Sequence, residues 1–118
     1  QALMDLPEVD EACVVGQDLP QPLALVRLGD GQYERADVVR RALAEALERL
    51  NATLASSERL GCVVVVDTLW DVDGGFRTPT HKLRRNVVEA TWQAHFHDWL
   101  VSGQSVVWHQ SEQRQETT

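Results

Sequence analysis

Thr78, Pro79, Thr80, His81, Lys82, Leu83, Arg84 and Arg85 follow one another directly, which puts four basic or titratable side chains into the five positions 81–85. Arg77 stands just before them, and no acid occurs between Asp73 and Glu89. The whole chain is acidic, with 18 Asp and Glu against 11 Lys and Arg, and Lys82 is its only lysine. A basic loop that runs into a helix start suits an anionic group, phosphate or carboxylate, because unpaired amides at a helix N-terminus reinforce the charge. Charge alone also allows a solvated basic loop with no ligand. Lys82 is the residue with the sharpest chemistry. An ammonium is a compact charge on a flexible stem. It can stabilise negative charge that gathers in a transition state and hold two reacting oxygens in line. Thr78 and Thr80 read either as hydroxyl donors to phosphate or as turn formers around Pro79. Arg84 and Arg85 read as contacts to phosphates, as contacts to an acidic partner surface, or as charge on a helix surface.

The other reactive residue types carry less. His95 and His97 are two apart, so on a helix they point about 200° apart and cannot share one ion; no metal site is expected. His109 stands in the tail and suggests no chemistry. Cys13 and Cys62 lie in apolar runs, which predicts buried free thiols; a disulfide between adjacent strands is the other arrangement the runs allow. Asn51-Ala52-Thr53 spells a glycosylation sequon, but near the end of an expected helix it reads as chance. Trp70 and Phe76 flank the basic loop as plugs over a small core.

These residues must be positioned by few elements. The chain has 118 residues, the size of one domain. Residues 11–16 and 23–28 read as strands joined by a turn with Pro20, Pro22 and Asp18, so they should form an antiparallel hairpin. The Gly29-Asp30-Gly31 loop lacks the spacing of a phosphate-binding glycine fingerprint. From Ala36 the period becomes helical: Val39, Leu43, Ala46, Leu47, Leu50 and Leu54 recur at three- and four-residue steps, with Arg40, Arg41, Glu45, Glu48 and Arg49 opposite them. This predicts a helix over 36–54. The run of four valines within 60–67 suits a strand buried on both faces. About fifteen residues without helical period follow, and connections that long are usually functional or disordered. A second helix is expected over 83–99. It carries one stripe of Leu83, Val87, Ala90 and Ala94, and another of Val88, Trp92, Phe96 and Trp99 on nearly the opposite side. The second stripe needs a cover, supplied by a further strand over 105–109 or by a partner. The end of the chain is polar. The fold class is therefore α+β: a small sheet of about three main strands flanked by helices.

The net charge of −7 argues against nucleic acid and anionic membrane as partners. No apolar run approaches the roughly 18 residues a spanning helix needs. The start of the chain has no signal-peptide pattern, so the expected location is the cytoplasm.

The stretch 74–92, with its glycine-containing loop, Thr78-Pro79-Thr80-x-Lys82 and basic helix, resembles the closing motif of the adenylate-forming enzymes, specifically the long-chain acyl-CoA synthetase branch. Residues 7–28 resemble the strand pair that follows the hinge in these enzymes. Residues 50–70 resemble the helix, turn and strand before the lysine loop. The order and spacing of the three stretches make the resemblance specific from about Pro7 to Trp92. It implies that residues 1–100 are the small C-terminal domain of an AMP-forming acid–thiol ligase, with 101–118 as a tail. ATP and Mg2+ would be bound mainly by a large N-terminal domain, the domain's partner in the same enzyme. The acyl group would pass through an acyl-adenylate to coenzyme A, in fatty acid metabolism. Lys82 aligns with the family's invariant lysine, and Thr78, Thr80, Arg84 and Arg85 with the surrounding nucleotide- and substrate-binding segment. His81 departs from the pattern: the wider family commonly has Gly there, and the long-chain branch an aliphatic residue. The large domain and hinge lie outside the sequence, so the chain by itself should not turn over substrate. A free-standing interaction module of the same fold, using an exposed Val88, Trp92, Phe96 and Trp99 stripe, is the alternative.

Overall fold

The computed structural model describes residues 3–109 and is α+β. Strands β1 (Val9–Val15), β2 (Leu23–Leu28), β3 (Val63–Val65) and β4 (Val106–Trp108) form one sheet in the order β1-β2-β3-β4. β1 and β2 are antiparallel, with Cys13 opposite Leu25 and a register irregularity between Val9 and Glu11. β3 runs parallel to β2, and β4 parallel to β3, with Val64 opposite both Leu25 and Val107.

The register explains the two-sided core. Ala24, Val26, Val63, Val65 and Val106 point to one face, where helix α1 (Ala36–Ala52) covers them with Val39, Leu43, Ala46 and Leu47. Leu23, Leu25, Val64 and Val66 point to the other, where they meet Val88, Trp92, Phe96 and Trp99. Burying each such side chain is worth about 1.5–3 kcal/mol, so the central strands specify a layer on each face. Both parallel connections step the same way along the sheet yet cross opposite faces. Their hands must differ, and one departs from the usual right-handed rule.

The region expected as one helix over 83–99 is instead α2 (Arg85–Trp92), a tight 3-10 turn (Gln93–His95) and α3 (Phe96–Val101). Trp92 leaves helical geometry at φ −116°, ψ 6°, and the turn lets aromatic residues from both helices reach the same sheet face. The two stripes therefore do not need two covers. Val88, Trp92, Phe96 and Trp99 are buried against the sheet, Leu83 and Val87 are half-buried at its margin, and Ala90 and Ala94 are exposed. The expectation that the aromatic stripe is exposed is corrected accordingly. The strand expected over 105–109 exists; it extends the sheet and brings Val107 and His109 against the stripe, the His109 ring 5.3 Å from that of Trp99. The polar end beyond His109 lies outside the described residues.

Arginines blunt both sheet edges. Arg85 donates to the Val14 carbonyl of β1 at 2.6 Å, and Arg40 donates to the Val106 carbonyl of β4 at 3.0 Å while its guanidinium lies over Trp108. Such capping suits edges that would otherwise template further pairing. Tyr33 ties two strand ends together: its hydroxyl accepts from the Leu28 N–H and donates to the Val66 carbonyl at 2.6 Å.

Cys13 and Cys62 are buried free thiols, as expected. Cys13 lies on β1 and Cys62 just before β3, with β2 between them, so a disulfide between adjacent strands is not what the topology offers. Asn51 clamps the entry to β3 against the end of α1. Its amide donates to the Leu60 carbonyl and accepts from the Leu60 N–H, both at 2.9 Å.

Asn51→Ala leaves both Leu60 groups unmet and is expected to cost about 1–3 kcal/mol in urea unfolding, with an unchanged m value. Burial pushes the Cys62 thiol from its ordinary 9.0 up to about 11. Between those values the unfolded chain loses its proton first, so stability should fall as pH rises from about 9 towards 11. Cys62→Ala should flatten that slope in urea titrations at several pH values, down to the part supplied by Cys13 and Tyr33, which burial raises likewise.

Candidate functional site

The long connection after β3 is ordered by its own chemistry. Trp70 and Phe76 are buried and pack on Trp92, with ring centroids 6.4 and 6.0 Å away. Aromatic pairs of this kind add about 0.5–1.5 kcal/mol beyond area burial. Both residues thus serve as plugs over the core. Between them the chain reverses. Asp71 accepts from the Gly74 N–H at 2.8 Å through its carboxylate and from the Phe76 N–H at 3.0 Å through its carbonyl. Gly75 sits at φ +86°, a conformation that favours glycine.

From Phe76 the chain enters a tight hairpin. Arg77 pairs with Leu83 in an isolated antiparallel bridge, Arg84 N–H donates to the Phe76 carbonyl at 2.8 Å, and Thr78 N–H donates to the Lys82 carbonyl at 2.9 Å. The tip is closed by His81 N–H on the Thr78 carbonyl at 2.7 Å. Pro79 occupies the second position of that turn, where its fixed φ fits. His81 stands in the left-handed region at φ 69°, the one such non-glycine residue described. A three-residue connection ending in a left-handed residue is a common hairpin closure. This accounts for the position being suited to glycine, and histidine is among the residues that tolerate it best.

The structure gathers Thr78, Thr80 and Lys82 on this hairpin. The Thr78 hydroxyl lies 3.1 Å from the Thr80 hydroxyl and accepts from the Lys82 N–H at 3.1 Å, so Thr78 shapes the turn. Lys82 is exposed, and no hydrogen bond or ion pair engages its ammonium among the described residues. Arg84 is exposed and makes only a 3.5 Å contact to the Gly75 carbonyl. Arg85 is tied to β1 through Val14, and one turn later Glu89 accepts from the Gly16 N–H at 3.0 Å, so together they dock the start of α2 on the end of β1. A hollow of about 350 Å³ beside the hairpin is lined by Trp70, Asp71, Val72, Asp73, Arg77 and His81.

Two residues that the sequence does not single out as site residues prove central. Arg77 donates from Nε to the Trp70 carbonyl at 2.8 Å and from Nη1 to the His81 carbonyl at 3.0 Å, and forms an ion pair with Glu11 of β1. Glu11 is also paired with Arg27 of β2 at 3.3 Å. The donor set around the hairpin tip is one free ammonium, two hydroxyls and a largely uncommitted guanidinium. That chemistry fits anionic oxygens and not a metal cation, and no cluster of three metal-ligating side chains occurs among the described residues. No helix among them is long and apolar enough to cross a membrane.

Compared with family models, with curated proteins and with solved structures, the chain gives no match.

His81→Gly is expected to leave the hairpin intact and to change stability by no more than about 0.5–1 kcal/mol, because the relieved left-handed strain offsets the added chain entropy. His81→Val, branched at Cβ, should cost more than either. Thermal unfolding of the three chains checks the order.

Proposed function

We propose that this chain is the catalytic-lysine domain of an adenylate-forming acid–thiol ligase, related to the acyl-CoA synthetases. The observation that carries the reading is Lys82: the only lysine, unpaired, projecting from a hairpin whose backbone is braced on all sides. The resemblance of residues 7–92 to that family supports it, as does the concentration of positive charge on an otherwise acidic chain.

On this reading the carboxylate oxygen of an acyl substrate attacks the α-phosphorus of ATP and pyrophosphate leaves. Negative charge builds on the phosphoryl and carboxylate oxygens together. The Lys82 ammonium meets both, stabilising the charge and holding the two groups in line. The long stem lets the ammonium reach a substrate held by another domain, while the hairpin limits where the stem starts. Thr80 and Arg84 lie on the same segment and would contact the same phosphate. Thr78 and Arg85 would act mainly through the hairpin and the docking of α2. ATP and its Mg2+ would be held mainly by a large N-terminal domain, and coenzyme A would accept the acyl group in a second step. Those steps would take place in the cytoplasm. The chain alone supplies the lysine and is not expected to turn over.

In the full-length polypeptide that carries this domain, Lys82→Ala should lower single-turnover pyrophosphate release by at least about 100-fold, the usual scale for losing one preorganised charge donor. Thioester formation from preformed acyl-adenylate should change far less. Equal losses in both half-reactions would remove the assignment of Lys82, and a wild-type protein silent with a broad panel of carboxylic acids would remove the ligase reading.

A further inference from the structure

We infer that Arg77 is the positioning residue of the Lys82 site, resting on the functional reading above for what the position is used for, but not for the geometry itself. Its guanidinium has three separate N–H directions, and each goes to a different part of the chain. Nε reaches the Trp70 carbonyl where the connection leaves the core, Nη1 reaches the His81 carbonyl at the hairpin tip, and Nη2 meets the Glu11 carboxylate on β1. Only a planar fork can serve three such directions at once. The anchor is itself anchored, because the second oxygen of Glu11 pairs with Arg27 on β2, which also reaches Asp10 at 3.4 Å.

The consequence falls on one peptide unit. The His81 carbonyl and the Lys82 N–H belong to the same peptide plane. Arg77 holds its oxygen, and the Thr78 hydroxyl accepts from its nitrogen at 3.1 Å. The plane that leads into Lys82 is therefore gripped from both ends, and the direction in which the lysine stem departs is set from the sheet. Arg77 and Glu11 are each only about a fifth exposed at the side chain, so the grip is not a solvated surface pair of the kind that contributes little. Glu11 also neutralises Arg77, which leaves Lys82 as the uncommitted charge at the tip. The side-chain partners of Arg77 are Trp70, His81 and Glu11, and not the Lys82 ammonium, so its part is to aim the lysine.

Amide hydrogen exchange on the 118-residue chain tests the grip without any activity. In Arg77→Met the Thr78, His81 and Lys82 amides should exchange at least about 10-fold faster, while Val26, Val64 and Val65 in the sheet stay as in the wild type. Arg77→Lys should not rescue them, because an ammonium cannot span three directions, and Glu11→Gln should give an intermediate increase. Unchanged hairpin amides in Arg77→Met, or full protection in Arg77→Lys, would overturn the proposal. If Arg77→Met does not fold, Glu11→Gln decides alone: faster exchange confined to the hairpin upholds the grip, and unchanged exchange overturns it. In the full-length polypeptide, Arg77→Met should lower kcat for adenylation with KM for the acid nearly unchanged, and wild-type kcat in that variant would overturn the aiming role. A wild-type polypeptide inactive with every acid would sink the ligase reading but leave the exchange result to judge Arg77.

Discussion

The structure follows from a sheet whose middle cannot face water. β2 and β3 carry apolar side chains on both faces, and all of Val63, Val64, Val65 and Val66 are buried. One helix covers one face, as the period of α1 dictates. The other face must be covered by chain that comes after β3, so that chain has to turn over the sheet end before α2 can start. The turning segment holds its own shape because Trp70 and Phe76 settle on Trp92. The hairpin with Lys82 projects from that segment just before α2 begins. Core packing on the second face thus decides where the charge is displayed.

Much of this can be read from the order of residues. The valine run, the hairpin of β1 and β2 and the amphipathic period of α1 are local patterns, and local patterns survive in sequence. The break at Gln93–His95 is not legible, because Val88, Trp92, Phe96 and Trp99 keep a helical spacing straight through it. The break brings the aromatics of α2 and α3 into one cluster on the sheet, a tertiary contact that no local pattern encodes. The charge asymmetry around Lys82 is visible at once. The grip of Arg77 is not, since its ionic partner Glu11 lies more than sixty residues earlier and reads as an ordinary strand residue. His81 carries no local signal of its φ of 69°, which the hairpin closure imposes.

The arginines show a division of labour with the lysine. Arg40, Arg59, Arg77, Arg84 and Arg85 all donate to main-chain carbonyls. A guanidinium can do this while its charge is satisfied elsewhere, and its donors are fixed in a plane. The basic window around the hairpin is therefore not a uniform patch of charge. Arg77 and Arg85 hold architecture, and the ammonium of Lys82 is left over. Of the four cations at this loop, Arg77 and Arg85 build structure, and Lys82 and Arg84 stay exposed.

The two parallel connections bear on how the chain reaches this state. β1 and β2 meet through a short turn, whereas Ala24 of β2 and its partner Val63 of β3 lie 39 residues apart (63 − 24), across α1. Val63 and its partner Val106 of β4 lie 43 residues apart (106 − 63), across the aromatic layer, so both parallel pairings close loops of similar length. Closing long loops is slow because their entropy is lost before contacts reward it. β4 is the last strand in chain order, and it completes the edge. During synthesis β4 emerges last, and until it pairs β3 is an open edge, so a ribosome-bound chain passes through a stage in which its valine strand is free to pair with a neighbour's.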